Sequence, residues 1–183
     1  WFKETIDQLT ANMEKAVLGK RHVVRLALTC LLSEGHILLE DVPGTGKTFL
    51  AKIISWRACQ ANQRVLFTTA MDMLNHLLAS QVDHSLVRKL RIYTEPTLLV
   101  IDELGYLSLD QQTSNLLYQV ISTRHGEKRS TIITTNTAFS DWGNILYNTT
   151  IATAIADRLV ENSEIFLFGG DSLRKASKQP PAE

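Results

Sequence analysis

Apolar residues recur at spacings of three and four over the first positions: Phe2, Ile6, Leu9, Met13 and Val17. That spacing predicts a helix with one buried face. Gly19 interrupts the pattern, a second helical stretch runs over 20–34, and Gly35 closes it, as glycine often does just past a helix end. His36-Ile-Leu-Leu39 reads as a short buried strand, and a glycine-bearing loop then leads into a helix over 47–61. Beyond it the pattern alternates. Strands are predicted at 65–67, 97–101, 130–134 and 164–168, and helices over 71–80, 84–91, 110–124 and 149–160. The run Thr97-Leu-Leu-Val-Ile101 is apolar without alternation, the pattern of a strand covered on both faces. Five strands alternating with helices predict an α/β fold, a parallel sheet doubly wound with helices on both faces. No shift of composition marks a boundary. The expected organisation is a pair of N-terminal helices over 1–35, a core over 36–170 and a loose polar tail over 171–183.

Composition narrows the function classes. The chain has 183 residues, 44% of them hydrophobic and 21% charged, which argues against disorder and supports one sizeable core. Lys plus Arg number 19 and Asp plus Glu number 19, so the formal charge is zero. A neutral chain is neither histone-like nor a polybasic membrane-surface protein, and nucleic-acid contact must come from local patches. The candidates are Arg88-Lys89-Arg91, Arg124 with Lys128 and Arg129, and Arg174-Lys175 with Lys178; each is otherwise a solvated face. Cys30 and Cys59 lack CxxC spacing and read as reduced and buried, which together with the lack of a signal peptide predicts a cytoplasmic protein. No apolar run approaches the length of a membrane span, and the histidines have no metal-ligand spacing.

The strongest chemical motif is Asp41-Val-Pro-Gly-Thr-Gly-Lys-Thr48, placed after a strand and opening a helix. It fits the phosphate-binding P-loop pattern except that Asp41 replaces the first glycine. Gly44 and Gly46 let backbone N–H groups wrap phosphates, Lys47 supplies positive charge, and Thr48 offers a hydroxyl to Mg²⁺. Pro43, Gly44, Thr45, Gly46, Lys47, Thr48 and Phe49 are the expected nucleotide-contact stretch. In Leu98-Leu-Val-Ile-Asp102-Glu103, a carboxylate at the end of a buried strand can hold Mg²⁺, and Glu103 can orient the attacking water. Asn136, at the end of Thr131-Ile-Ile-Thr-Thr-Asn136, lies on the ligand side of a parallel sheet and is either a γ-phosphate sensor or a turn residue. Arg158, in Ala156-Asp-Arg-Leu159, is either an arginine finger serving a neighbouring protomer or a surface residue paired with Asp157 or Glu161.

This order of motifs resembles the AAA+ ATPases over nearly the whole chain, with Walker A at Gly44 to Thr48, Walker B at Asp102 and Glu103, the sensor at Asn136 and the finger at Arg158. The resemblance divides between two branches. Val17-Leu-Gly-Lys20 and Glu34-Gly-His-Ile-Leu-Leu-Glu-Asp-Val-Pro-Gly-Thr-Gly-Lys-Thr48 resemble the MoxR branch, in which Asp41 is ordinary. From about Arg57 the chain resembles the IstB-like ATPases, transposase helpers related to helicase loaders. The strings that carry this are Arg64-Val-Leu-Phe-Thr-Thr69, Leu99-Val-Ile-Asp-Glu-Leu-Gly-Tyr-Leu-Ser-Leu-Asp110, Thr134-Thr-Asn-Thr-Ala-Phe-Ser-Asp-Trp-Gly143 and Gly170-Asp-Ser-Leu-Arg174. Thr137 departs from the basic residue that relatives often carry after the Asn, and the expectation from the polar stretch after the last strand is that no helical lid with its arginine is present. The helical region that usually precedes the IstB-like core is replaced by the MoxR-like helices. Val17, Leu18 and Gly19 fall where AAA+ proteins wrap adenine, or else pack as an ordinary helix end. The resemblance implies an ATP- and Mg²⁺-dependent ATPase forming a homo-oligomer on double-stranded DNA and serving a transposase or helicase. A MoxR-type chaperone and a nucleotide-binding domain without partners are the alternatives.

Overall fold

The computed structural model describes residues 21–40, 46–106, 108–161 and 163–167. The expected helix over 2–17, the adenine segment Val17, Leu18 and Gly19, the loop residues Pro43, Gly44 and Thr45, and the tail lie outside them. The elements in chain order are α1 (Arg21–Leu32), β1 (His36–Glu40), α2 (Lys47–Gln60), β2 (Val65–Thr69), α3 (Ala70–Val82), α4 (Leu86–Thr94) and β3 (Leu98–Leu104). They continue with α5 (Gln111–Gly126), β4 (Ser130–Thr135), α6 (Trp142–Ile145), α7 (Thr149–Val160) and β5 (Ser163–Leu167).

The five strands form one sheet in the order β2-β3-β4-β1-β5, and every pairing is parallel. Side chains alternate across it because a strand's pleat has period two. Leu38, Leu99, Ile101 and Ile133 pack with Met73 and Leu77 of α3, Leu117 and Val120 of α5, and Ile155 of α7. Ile37, Leu39, Leu98, Val100 and Ile132 pack on the opposite face with Val24 and Ala27 of α1 and Leu50 and Ile54 of α2. Both faces are covered, which is why β3 and β4 read as continuous apolar or β-branched runs. After β1 the chain jumps to the far edge at β2, returns through β3 to β4 beside β1, and then lays β5 on β1's other side. That reversal opens a crevice at the carboxyl ends of β1 and β4, where doubly wound sheets bind ligands.

Three local features differ from the sequence reading. Trp142 opens a short helix that the sequence pattern does not predict. It is 1% exposed and meets Phe139 edge-on, ring centroids 4.9 Å apart, so it belongs to the core. Cys59 is exposed rather than buried, while Cys30 is buried with its thiol donating to the His36 carbonyl at 2.9 Å. The largest correction concerns Arg124, expected on a basic surface. It is 0% exposed. Its guanidinium donates to Thr131 Oγ1 at 3.0 Å and to the carbonyls of Tyr93 at 3.0 Å, Pro96 at 2.8 Å and Ser130. Burial, reinforced by the Arg129 charge and opposed by Glu127, lowers its pKa to about 9. Arg129 turns inward too, donating to the Thr94 carbonyl and pairing with Glu127 at 2.9 Å. These arginines tie the end of α4 to the start of β4.

Candidate functional site

The site is built at the carboxyl ends of β1, β3 and β4. Gly46, with φ +94°, turns the chain into α2; a left-handed conformation there favours glycine. Lys47 is therefore the first residue of α2, at the end of the helix that carries partial positive charge. It is 8% exposed, and its Nζ donates to the Thr135 carbonyl at the end of β4. One residue further, Thr48 Oγ1 donates to Asp102 Oδ1 at 3.0 Å. Phe49 follows and is half exposed.

Asp102 and Glu103 differ although they are adjacent. Asp102 is 5% exposed, and its Oδ1 accepts both the Thr48 and the Thr134 hydroxyl. Glu103 is exposed. The register between β3 and β4 slips here: Ile101 faces Ile133 but Leu104 faces Thr135, so two residues of β3 oppose one of β4. That is a β-bulge, and bulges recur beside active sites because they re-aim a side chain. Glu103 takes φ +62° within it. A non-glycine residue in that region costs on the order of 1–3 kcal/mol, and such strain clusters at functional sites.

Asn136 lies one residue past β4 and is exposed. The preceding Thr135 hydroxyl donates to the Thr137 carbonyl and accepts from the Thr137 amide, both at 3.1 Å. Gly105, at φ +96°, lies against this turn: a Cβ there would stand 2.6 Å from Thr137 Oγ1 and 3.2 Å from Asn136 Oδ1. Any side chain at 105 would force Thr137 to shift and crowd Asn136. Glu40 Oε2 accepts the Phe139 amide at 2.9 Å, fastening the end of β1 to the same turn.

Lys47, Thr48, Asp102, Glu103 and Asn136 are thus gathered at one end of the sheet. Arg158 is not. It sits in the last turn of α7, next to the start of β5, and Ser163 there pairs with His36 at the start of β1. Its partners are on α5 and its own helix, with Nε 3.2 Å from Ser122 Oγ and Nη1 2.8 Å from the Ala154 carbonyl. Neither Asp157 nor Glu161 holds it; Glu161 pairs with His125 at 2.8 Å.

The donors fit a hard cation. The Thr48 hydroxyl and the Asp102 carboxylate are oxygen ligands 3.0 Å apart, and Mg²⁺ takes one or two such groups while keeping waters and substrate phosphates. Among the described residues no cluster of His, Cys, Asp and Glu suits a metal bound by protein alone. Thr134 is a site residue that no local sequence signal singles out. Its trace in the sequence is a pair of hydroxyl residues, Thr134 and Thr135, closing an otherwise apolar run.

Comparison with known proteins identifies the family and the fold. The family model for the IstB-like ATP binding protein matches residues 5–180. The match runs unbroken through residues 54–57, so the expected change from a MoxR-like to an IstB-like branch has no support. An ATP-binding protein of insertion sequence IS5376 from Geobacillus stearothermophilus is 36% identical over 178 residues, covering 97% of this chain and 70% of its own length. Among solved structures, the DnaC helicase loader superposes with a TM-score of 0.68 at 20% identity, covering 81% of this chain and 89% of that one. AMPPCP-bound DnaA from Aquifex aeolicus superposes with a TM-score of 0.72 at 17% identity, covering 86% of this chain and 49% of that one. At these identities the structures establish the fold: an α/β P-loop NTPase of the AAA+ type.

Proposed function

The chain belongs to the IstB-like ATP-binding family, and on that premise we propose that it hydrolyses ATP with Mg²⁺ as a cytoplasmic, DNA-associated helper of a transposase or, in loader fashion, of a helicase. ATP would sit between protomers and stabilise a homo-oligomer, and hydrolysis would release it. The observation that carries this reading is the convergence of Lys47, Thr48 and buried Asp102 beside exposed Glu103, with Thr48 Oγ1 3.0 Å from Asp102 Oδ1.

Each residue then has a role set by its position. Lys47 exchanges the Thr135 carbonyl for the phosphates, joined by the loop amides of Gly44, Thr45 and Gly46, while Pro43, which has no N–H to donate, shapes the loop before them. Phe49 and the segment Val17, Leu18 and Gly19 contact the nucleotide. Thr48 and Asp102 hold Mg²⁺, which neutralises charge on the transferred phosphoryl group. Glu103, held at the bulge and open to solvent, orients the attacking water and takes its proton. Asn136, kept in place by the Thr135–Thr137 turn, reports the γ-phosphate. Arg158 is too far along the sheet for its own site and acts on a neighbour's.

DNA contact falls to α4. Of the second basic group Arg124 is buried and Arg129 is held by Glu127 and the Thr94 carbonyl, which leaves Arg88, Lys89 and Arg91 as the basic group carried together on one helix. Arg88 and Arg91 are exposed. Among the described residues no helix is long and apolar enough to cross a membrane. The test is the rate of ATP hydrolysis with and without double-stranded DNA across a range of protein concentration. Activity per protomer that rises with both supports the reading, and a rate independent of both refutes assembly on DNA.

A further inference from the structure

The bulge in β3 leaves a specific problem. Residues 102 and 103 together face the single residue 134, so the extra residue's amide has no place in the regular ladder. Thr134 solves it with its side chain. Its hydroxyl accepts the Glu103 amide at 2.9 Å and donates to Asp102 Oδ1, which uses a hydroxyl's single proton and one of its two lone pairs. Thr134 is 1% exposed, so water cannot replace either bond. The same Asp102 oxygen accepts Thr48.

We infer that Thr134 is a positioning residue for both acidic groups of the site, fixing the Asp102 carboxylate relative to Thr48 and holding the Glu103 backbone in its bulged conformation. The inference rests on the Mg²⁺-ATPase reading above. Its physical content is that Asp102 enters the site already oriented, with no rotamer to freeze when the cation arrives. Partners that orient a metal ligand from behind typically change metal affinity or activity by about 10–100-fold when removed.

Thr134→Val keeps the shape and removes both bonds; Thr134→Ser keeps the hydroxyl. The full chain is titrated with a fluorescent ATP analogue in EDTA and in Mg²⁺, and turnover is measured alongside. For Thr134→Val we expect wild-type affinity in EDTA, with the Mg²⁺-dependent gain in affinity and the turnover each lower by about 10–100-fold. Thr134→Ser restores both. A Thr134→Val protein whose affinity ratio and turnover match the wild type overturns the inference, and so does one that loses only thermal stability. If Thr134→Val fails to fold, Thr134→Ala undergoes the same titration with the same expectation. Wild-type protein that binds ATP but does not hydrolyse it refutes the ATPase reading instead, and the affinity ratio still decides the role of Thr134.

Discussion

The guanidinium of Arg158 lies over the ring of Tyr118, with Cζ 4.8 Å from the ring centroid. With the bonds to Ser122 and the Ala154 carbonyl, this parks a cation on the flank of α5, remote from Lys47 and Asp102. A cation–π contact is worth about 0.5–1 kcal/mol at an exposed site and about 2 kcal/mol when desolvated, and Arg158 is half-buried. An arginine supplied to a neighbour's phosphoryl group is worth about 10³–10⁵ in rate, so the parking contact is weak enough to yield.

Arg158→Ala is therefore expected to bind ATP and to hydrolyse it poorly. Mixed with Lys47→Ala it regains activity, because the Lys47→Ala subunit lends its arginine to an intact site next door. The check is ATPase activity of the mixture against each variant alone. If co-assembled variants stay inactive, Arg158 has no role in trans.

Lys47→Ala alone is expected to lose ATP binding in calorimetry, since the side chain is seated between the start of α2 and the end of β4 where phosphates would lie. Unchanged affinity would remove the phosphate-loop assignment.

His36 makes stability depend on pH. It is 3% exposed, and its Nδ1 accepts the Thr131 amide at 3.2 Å, which requires the neutral ring. Burial, aided by the charges of His125 and Arg124, lowers its pKa from 6.5 to about 4. Between those values the unfolded chain binds the extra proton, so stability rises with pH and is lost on acidification. At about 1.4 kcal/mol per pH unit the loss reaches about 3 kcal/mol. Chemical denaturation from pH 7 to 4 should show this slope, and His36→Gln should flatten it.

Arg124 and the α4 arginines should separate stability from DNA contact. Removing the Arg124 fork leaves buried carbonyls unpaired, at roughly 1–3 kcal/mol each. Arg124→Leu is expected to lower the melting temperature sharply. Arg88→Ala with Arg91→Ala should leave melting nearly unchanged, within about 0.5 kcal/mol per substitution. That pair should weaken DNA retention and reduce its salt dependence by about two phosphate contacts. Retention unaffected by the pair would move the DNA surface elsewhere.

The sheet was legible because its strands hold compact apolar or β-branched runs, and α1 and α4 show a clear helical period, whereas α2 shows almost none and is marked instead by the phosphate-loop motif that opens it. Observed strand limits differ from the predicted ones by at most three residues, as at β3, which continues to Leu104. Asp102 stood out because it ends such a run. What the sequence hid are features made by distant neighbours. Nothing local distinguishes Arg124, buried against carbonyls from 93 to 97, from the exposed Arg88. The Thr134 hydroxyl acquires its role only when a bulge in another strand faces it. Trp142 lies within a motif string, yet its burial depends on Phe139 and on α7 packing beside it.

Hydrolysis at the Asp102–Glu103 bulge needs Glu103 as the base, and Glu103→Gln removes that base alone. An amide can still hold the water but cannot accept its proton. With Mg²⁺ and DNA present, phosphate release should fall by about 10²–10⁴-fold while ATP affinity, measured on the same preparation, stays at the wild-type value. Phosphate release at the wild-type rate from Glu103→Gln would contradict the account.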